Sequence, residues 1–219
     1  MSLKRIRAAW RRGGGLVAGG VALDLVADRW WERRCGIDAA GLVRIETLVT
    51  EWRGLHDYFP TSRRVFRALM GHVEIRPRED VFVDFGSGKG RALILAAQYP
   101  FKRVVGVEIS EALSRSARAN VAAWPGRFTC PDIEITTDDA AAYGIPSDGT
   151  VMYFYNPFHG PVLRAVFEAI ARSRACRPRP VWVVFNNTSH FRAMEREFAW
   201  LRPIARPVYE HECAVYQAV

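Results

Sequence analysis

The chain has 219 residues, of which 49% are hydrophobic, and this length and composition suit one folded domain around a buried core. Its formal charge of +8 is concentrated at the start, where five basic residues precede the first acidic one. Those five are Lys4, Arg5, Arg7, Arg11 and Arg12. The remainder of the chain carries a net charge of only about +3, so a nucleic-acid partner is not expected. For the basic start, a frayed, solvated terminus is favoured over peripheral contact with an anionic membrane.

The cysteines indicate a reducing compartment. All four are far apart, with no CxxC pair and no histidine at metal-ligand spacing; they are Cys35, Cys130, Cys176 and Cys213. Reduced thiols of this kind predict a cytoplasmic protein. The apolar residues 16–27 follow a basic start as a signal peptide would, but they contain an acid and lack a clear cleavage site. Because this segment is too short to span a bilayer, it is predicted to pack on the domain rather than lie on a membrane surface.

Residues 1–75 are predicted to form a helical cap in front of the main domain, which we place at residues 76–219. Glycines and a proline divide the cap into helices. Breaks are expected at residues 13–15, Gly36 and Pro60. The cap is therefore an N-terminal helical extension of the domain that follows.

Beyond the cap, short apolar runs alternate with longer helix-compatible segments, which is typical of a parallel sheet covered by helices on both faces. Strands are predicted over residues 81–85, 103–109, 133–137, 150–155 and 180–186. Helices are predicted over residues 90–99, 110–123, 160–174 and 189–200. A terminal hairpin is predicted from two further extended runs, 204–209 and 213–218. The predicted fold class is α/β, with a seven-stranded, mostly parallel, Rossmann-like sheet.

The most informative motif lies where the first of these strands meets the next helix. It reads VFVDFGSGKGR over residues 81–91, a buried strand followed by a glycine-rich turn. Such glycines permit positive φ and let a ligand approach the free N–H groups of a helix start. The phosphate-loop pattern GxxxxGK[ST] is absent, and Arg91 replaces the third glycine of the dinucleotide fingerprint GxGxxG. The turn therefore favours a different kind of ligand.

Two acidic residues narrow the kinds of ligand that this turn could bind. Asp84 ends the first strand, where a carboxylate suits a cationic amino-acid group and repels a pyrophosphate. Glu108 ends the second strand, where an acid can accept hydrogen bonds from both hydroxyls of a ribose. A tight turn with an acid at a helix start would account for Asp84 but not for Glu108. Together the two acids indicate a ligand with an ammonium group and a nucleoside.

The run DFGSGKGR followed by VVGVEIS resembles motifs I and II of class I S-adenosylmethionine-dependent methyltransferases, and the resemblance covers residues 55–187 in motif order. With YFPTSRRVFRALM upstream, the chain is similar to the ATP synthase c-subunit lysine methyltransferase family and, more distantly, to non-SET histone lysine methyltransferases. It also looks like uncharacterised bacterial methyltransferases. The resemblance implies S-adenosyl-L-methionine as cofactor and S-adenosyl-L-homocysteine as its product.

The same resemblance assigns residues to the cofactor. Lining of the methionine end is implied for Asp84, Gly86, Ser87, Gly88 and Gly90. Glu108 and Ile109 would hold ribose and adenine, and the adenine amino group would donate to Asp138 or Asp139.

The upstream segment would fold over the cofactor through Tyr58, Pro60 and Thr61. An aromatic residue just before a helix cap is equally typical of a hydrophobic staple, so both interpretations stay open. Either Thr61 or Ser62 is placed to cap the helix that follows.

The predicted catalytic residues are Asn156, Pro157 and Phe158, which follow the fourth strand. Amino-methylating relatives carry [ND]-P-P-[FYW] at this position, and this sequence lacks the second proline. The Asn156 amide oxygen and a nearby backbone carbonyl can accept two N–H bonds and aim the nitrogen lone pair at the methyl group. An aromatic face next to the sulfonium attracts positive charge. Alternatively, Asn156 only caps the next helix.

These residues predict methyl transfer to nitrogen, on a lysine or another amine of a protein or peptide. The alternatives are O-methylation of a small metabolite, which a deep apolar cavity under residues 10–60 would favour, and a cofactor-binding module without catalysis. No metal-binding set stands out, so metal-independent chemistry is predicted. His159 could act on the acceptor, but a solvated loop histidine is the simpler interpretation. No partner spacing is found for His56, His72, His190 or His211.

Overall fold

The computed structural model describes residues 2–44, 46 and 55–219, which form one seven-stranded sheet with helices packed on it. The strands are β1 (Val81–Phe85), β2 (Arg103–Glu108), β3 (Ile133–Thr137), β4 (Gly149–Phe154), β5 (Trp182–Phe185), β6 (Leu201–Ala205) and β7 (Ala214–Ala218). The helices are α1 (Ser2–Cys35), α2 (Arg63–Met70), α3 (Arg91–Ala96), α4 (Glu111–Ala123) and α5 (Gly160–Cys176).

The sheet has the strand order β3-β2-β1-β4-β5-β7-β6. It is parallel except at β7, which pairs antiparallel with β5 on one side and with β6 on the other. The chain moves outward from β1 to β3 and then returns to place β4 beside β1. Such a switch point leaves a crevice at the carboxyl ends of the strands, where ligands of open α/β sheets bind. The predicted seven-stranded, mostly parallel sheet is confirmed.

The central strands are buried on both faces. In β1, Phe82 belongs to one core cluster, while Val83 and Phe85 belong to the other. The first cluster also contains Leu93 of α3, and the second contains Phe167 of α5. Because successive side chains of a strand point to opposite faces, a strand between two helical layers has to be apolar throughout. This explains why the run over β1 shows no polar alternation.

The helix predicted over residues 189–200 is wrong. The chain forms a series of turns there, with a short 3₁₀ segment at Glu195–Glu197. Its turns are closed by bonds to the third residue back, such as the Met194 N–H to the Phe191 carbonyl at 3.0 Å. Phe191, Met194 and Phe198 are nevertheless buried. An amphipathic helix would give the same apolar spacing, so the sequence pattern alone could not separate the two.

The first strand of the terminal hairpin is displaced from its predicted position at residues 204–209. β6 starts earlier and ends at Ala205. Pro203 is tolerated within it because β6 is the edge strand, where a residue without an N–H is least disruptive. Beyond the strand the chain turns back, and the Cys213 N–H donates to the Pro207 carbonyl at 2.9 Å. The hairpin itself is confirmed by the pairing of β6 with β7.

Helix α1 continues through residues 13–15, so the break expected there is wrong. Gly14 has φ +66°, a local left-handed conformation that glycine adopts without a steric penalty. The helix ends at Cys35, and Gly36 follows at φ +68°, which is the break that the sequence predicts.

The basic start of α1 is partly anchored. Arg5 Nε donates to Glu210 Oε1 at 2.7 Å, so the expected frayed terminus is wrong at this residue. Further along the helix, Val21 is buried, whereas Leu16 and Leu23 are exposed. The apolar segment therefore packs on the domain along one face only. Among the helices that the structure describes, none combines the length and apolar character needed to cross a membrane.

A buried arginine connects α1 to the glycine turn. Arg91, the first residue of α3, is 3% exposed and donates to Asp28 at 3.0 Å and to the Thr61 carbonyl at 3.0 Å. It also pairs with Glu32, one helical turn beyond Asp28. Burial raises the pKa of Asp28, although the positive charge of Arg91 acts in the opposite direction. One guanidinium thus compensates two carboxylates in a site with little water.

Replacing Arg91 by alanine should strongly destabilise the fold, because Asp28 and Glu32 would remain buried after losing the guanidinium that pairs with both of them. Breaking a buried ion pair in this way costs about 3–5 kcal/mol of unfolding free energy. Urea unfolding followed by circular dichroism measures the change. The control is Arg164→Ala, since the ion pair of Arg164 with Glu197 is exposed and its loss should barely move the midpoint. Equal losses in the two variants would contradict a special role for the buried network.

Candidate functional site

A cleft opens at the carboxyl ends of β1 and β2, with about 800 Å³ of space when the open region at its mouth is included. Its walls are completed by the segment before α2 and by the loop between β4 and α5. Most residues that the sequence assigns to the site line this cavity: Tyr58, Thr61, Asp84, Gly86, Ser87, Glu108, Ile109, Asp138, Asp139, Pro157 and Phe158. The lining does not include Gly88, Gly90 or Asn156.

Asp84 and Glu108 place two carboxyl groups at the buried base of the cavity. Their exposed fractions are 3% and 5%. Burial raises the pKa of Asp84 well above its usual range, and the negative charge of Glu108 adds to this effect. Burial also raises the pKa of Glu108, against the lowering effect of nearby backbone N–H donors. Such a pair favours a positively charged ligand, because a cation stabilises the charged form of both acids.

Glu108 is held by the backbone around it. Its Oε2 accepts from the Gly88 N–H at 2.8 Å, and its Oε1 accepts from the Ser110 N–H at 3.0 Å. Each carboxylate oxygen has a second lone pair, so each can accept one more hydrogen bond. Nearby, the Ser87 hydroxyl is buried and finds no hydrogen-bond partner within the described part of the chain. Both observations indicate that a polar ligand belongs here.

Gly86 and Gly88 are required by their backbone conformation and by their packing. Their φ angles are +75° and +56°. A Cβ on Gly86 would lie 2.3 Å from the Pro157 Cβ, and one on Gly88 would lie 2.1 Å from the Tyr58 ring. The sequence predicts glycine here so that a ligand can approach. The structure adds a second reason, because two walls of the cavity close directly onto the turn.

The upstream segment is fixed across the cavity. Tyr58 exchanges two backbone hydrogen bonds with Val43, and its hydroxyl donates to the Ala39 carbonyl at 2.7 Å. The N-cap of α2 is Ser62 rather than Thr61, and its hydroxyl accepts a backbone N–H from the first turn. The segment is therefore anchored at both ends, with the Tyr58 ring held against the glycine turn.

The loop after β4 carries the predicted catalytic residues. Asn156 has φ +51°, a left-handed conformation that asparagine tolerates better than most residues. The N-cap of α5 is His159, so the alternative in which Asn156 caps this helix is wrong. Pro157 lines the cavity, and its carbonyl accepts from the His56 N–H at 3.0 Å. Phe158 is buried beside it.

Comparisons with known sequences match the part of the chain that contains the turn. Residues 55–129 match the model of the family described as histone methylation protein DOT1. A protein-lysine N-methyltransferase of Saccharolobus islandicus (strain REY15A) is 37% identical over 65 residues, which make up 29% of this chain and 40% of that protein. The chain thus matches less than half the length of this curated relative.

Solved structures resemble a larger part of the chain. An RNA methyltransferase from Salinibacter ruber in complex with S-adenosyl-L-homocysteine is 24% identical, with 73% of this chain and 92% of that one covered and a TM-score of 0.50. A tRNA (uracil-54, C5)-methyltransferase of Pyrococcus abyssi in complex with the same compound is 20% identical, with 74% and 40% covered and a TM-score of 0.51. This chain has the class I methyltransferase fold.

Within the class I fold, the predicted adenine contact stays open between two residues. Asp138 and Asp139 follow β3, and both line the cavity. Asp138 Oδ1 accepts from the Asp139 N–H at 2.8 Å, and Asp139 Oδ1 accepts from the Ala141 N–H at 2.9 Å. The two carboxylates are thus held in similar ways, and the assignment of these and the other lining residues to a cofactor stays a prediction.

The class I fold also assembles a group that the sequence did not predict. The rings of His56, His159 and His190 lie with centroids 4.5–5.0 Å apart, and His190 stacks on both of the others. Burial and the two neighbouring imidazoles lower the pKa of His56 to about 4. Spacing along the chain gives no sign of this group. Strand order does, since His159 and His190 follow the neighbouring parallel strands β4 and β5.

Gly88→Ala should destabilise the protein through its contact with Tyr58. Overpacking of this kind costs about 1–3 kcal/mol, measurable by urea unfolding. The steric part should disappear in a Tyr58→Ala background, so the two substitutions should be non-additive. Gly144→Ala is the control, because nothing lies within 4 Å of its added Cβ. A Gly88→Ala cost that is the same with and without the Tyr58 ring would contradict the packing described above.

Proposed function

We propose that this chain is an S-adenosylmethionine-dependent methyltransferase that methylates an amine nitrogen, on a lysine of a protein or peptide. The observation that carries the proposal is the pair of buried carboxyl groups, Asp84 and Glu108, beside the glycine turn at the strand switch point. A cationic nucleoside suits this pair, whereas a pyrophosphate would be repelled by it. Methyl transfer is common on this fold, but one fold hosts many functions, and the chemistry is determined by the residues of the site.

The residues of the cavity fit the cofactor group by group. Asp84 would pair with the ammonium of the methionine moiety. Glu108 would accept from the two ribose hydroxyls with the lone pairs that Gly88 and Ser110 leave free. The buried Ser87 hydroxyl would gain a partner at the amino-acid end of the ligand. When bound, the cofactor supplies a methyl group on a sulfonium, which a lone pair can attack.

The loop after β4 supports an amine as the acceptor. Asn156 offers an amide oxygen, and the Pro157 carbonyl keeps a second lone pair beyond its bond with His56. Two such acceptors can hold two N–H bonds and direct the nitrogen lone pair along the line of attack. The curated relative is named a protein-lysine N-methyltransferase, and the matching family model describes histone methylation. These names support a protein substrate here as a proposal.

A lysine acceptor has to lose a proton before it reacts. From an ordinary pKa of about 10.4, deprotonation at pH 7 costs about 4.6 kcal/mol. Orientation can offset this, because well-positioned intramolecular reactions gain about 7–11 kcal/mol. Pro157 and Phe158 line the cavity with apolar side chains, which also disfavour the charged ammonium. The chain therefore does not need a dedicated strong base.

Incubation of the purified chain with methyl-labelled cofactor and a cell lysate tests the proposal. We expect label in the macromolecular fraction, and amino-acid analysis after acid hydrolysis should recover it as methylated lysine. Label confined to small molecules would replace the proposal with O-methylation of a metabolite or another small acceptor. Calorimetry that detects no binding of S-adenosylhomocysteine to a folded sample would overturn the methyltransferase assignment altogether.

Asn156→Ala should lower turnover while leaving cofactor affinity unchanged, because Asn156 is proposed to orient the acceptor and is not among the residues assigned to the cofactor. Loss of an orienting hydrogen bond of about 1–3 kcal/mol corresponds to a reduction of about 5- to 160-fold in kcat. Gln98→Ala is a matched control, since this amide bonds to the Ile94 carbonyl of α3. Turnover within threefold of the wild type would rule out the orienting role.

Binding of S-adenosylhomocysteine should release a proton from Asp84. Because its pKa is raised, Asp84 retains a proton at a pH where an ordinary aspartic acid has lost it. The ammonium of the ligand favours the charged carboxylate, so affinity should increase as the pH rises towards that raised pKa and then level off. Calorimetry in buffers with different heats of ionisation counts the protons released.

The comparison variants are Asp84→Asn and Glu108→Gln. The first should bind weakly at every pH and release fewer protons than the wild type. The second should still release the Asp84 proton. Wild-type proton release in Asp84→Asn would show that the titrating group lies elsewhere.

A further inference from the structure

Three histidine side chains meet at one edge of the cavity, where His56 lines the cavity and His159 and His190 line the groove beside it. We name His56, His159 and His190 the three-histidine cluster. One ring nitrogen from each lies within 4.8 Å of those of the other two, and His159 Nδ1 is 3.1 Å from His56 Nε2. All three residues are half-buried. They come from three separate segments, so their convergence is a property of the fold and not of local sequence.

A hydrogen bond explains only part of this arrangement. It accounts for the 3.1 Å contact between His159 and His56, and it leaves the approach of His190 without a polar reason. A tetrahedral Zn²⁺ ion binds imidazole nitrogens at about 2.0–2.1 Å, which places neighbouring nitrogens about 3.3 Å apart. The first pair is already at that spacing. The third nitrogen has to approach by about 1.5 Å at most to match it, which small side-chain rotations provide.

We propose that the three-histidine cluster binds one Zn²⁺ ion or a similar first-row transition-metal dication. Neutral imidazoles are favoured ligands of these ions, and three protein ligands leave a fourth position for water or for a group of the substrate. Within the described residues the cluster contains no carboxylate, which disfavours Mg²⁺ and Ca²⁺ because both take oxygen ligands. The prediction of metal-independent chemistry rested on sequence spacing, which does not bring these three residues together.

The ion would fasten two walls of the cavity to each other. His56 belongs to the segment that carries Tyr58, and its N–H already donates to the Pro157 carbonyl at 3.0 Å. His159 lies three residues beyond Asn156 and is the N-cap of α5. A metal ion held between them would fix the position of the loop after β4 through residues that are not assigned to the cofactor. Metal binding does not depend on the proposed function, and it can be measured whether or not methyl transfer is found.

The test uses the full chain without a histidine tag, freed of metal by a chelator and kept reduced. Zn²⁺ is titrated in competition with a chromophoric chelator, and Co²⁺ is used as a spectroscopic probe of coordination. We expect one ion per chain, a tetrahedral Co²⁺ spectrum, and affinity at least about 100-fold weaker in each of His56→Ala, His159→Ala and His190→Ala. Circular dichroism checks that each variant is folded. If an alanine variant is not folded, His190→Gln is measured in its place.

Two control variants separate this site from adventitious binding. His72 is exposed at the end of α2, and Cys176 is an exposed thiol at the end of α5. His72→Ala and Cys176→Ser should bind Zn²⁺ as the wild type does. Wild-type protein that takes up no Zn²⁺ at micromolar concentration would overturn the proposal. Unchanged affinity in folded variants of the three-histidine cluster would overturn it as well.

Discussion

Burial of the two acids at the ends of β1 and β2 is the constraint around which the site is arranged. A charged carboxylate away from water is costly unless it is hydrogen-bonded or compensated. For Glu108 the backbone N–H groups of Gly88 and Ser110 meet part of this cost. Asp84 instead has a strongly raised pKa. A cationic ligand would compensate both acids, and its binding would stabilise the folded chain.

The glycine turn links three parts of the molecule. Its first glycine packs on Pro157 of the loop after β4, and Gly88 packs on the Tyr58 ring of the upstream segment. The helix that follows begins with Arg91, whose guanidinium holds Asp28 of α1. The position that breaks the dinucleotide fingerprint is thus occupied by the residue that holds α1. The glycine turn and α1 are consequently not independent, because a shift of α3 would disturb both.

Sequence reasoning predicted most of the fold because buried parallel strands are apolar throughout and their glycine-rich turn is distinctive. It failed where the same spacing of apolar residues fits either a helix or a series of turns, as at Phe191, Met194 and Phe198. It also missed the convergence of His159 and His190, because these residues are brought together only by the order of the strands that they follow. The methyl acceptor and the proposed metal ligands also depend on which segments meet in the fold, and a single sequence does not contain this information.

The position of β7 has a consequence for the order of assembly. β6 precedes β7 along the chain, yet β7 lies between β5 and β6, so β6 has no strand to pair with until β7 is in place. Until then the backbone groups along the edge of β5 are unpaired, and apolar side chains that are buried in the folded chain face solvent. A newly made chain would pass through a stage at which this edge is open to other molecules, and chaperone dependence or aggregation would be decided there.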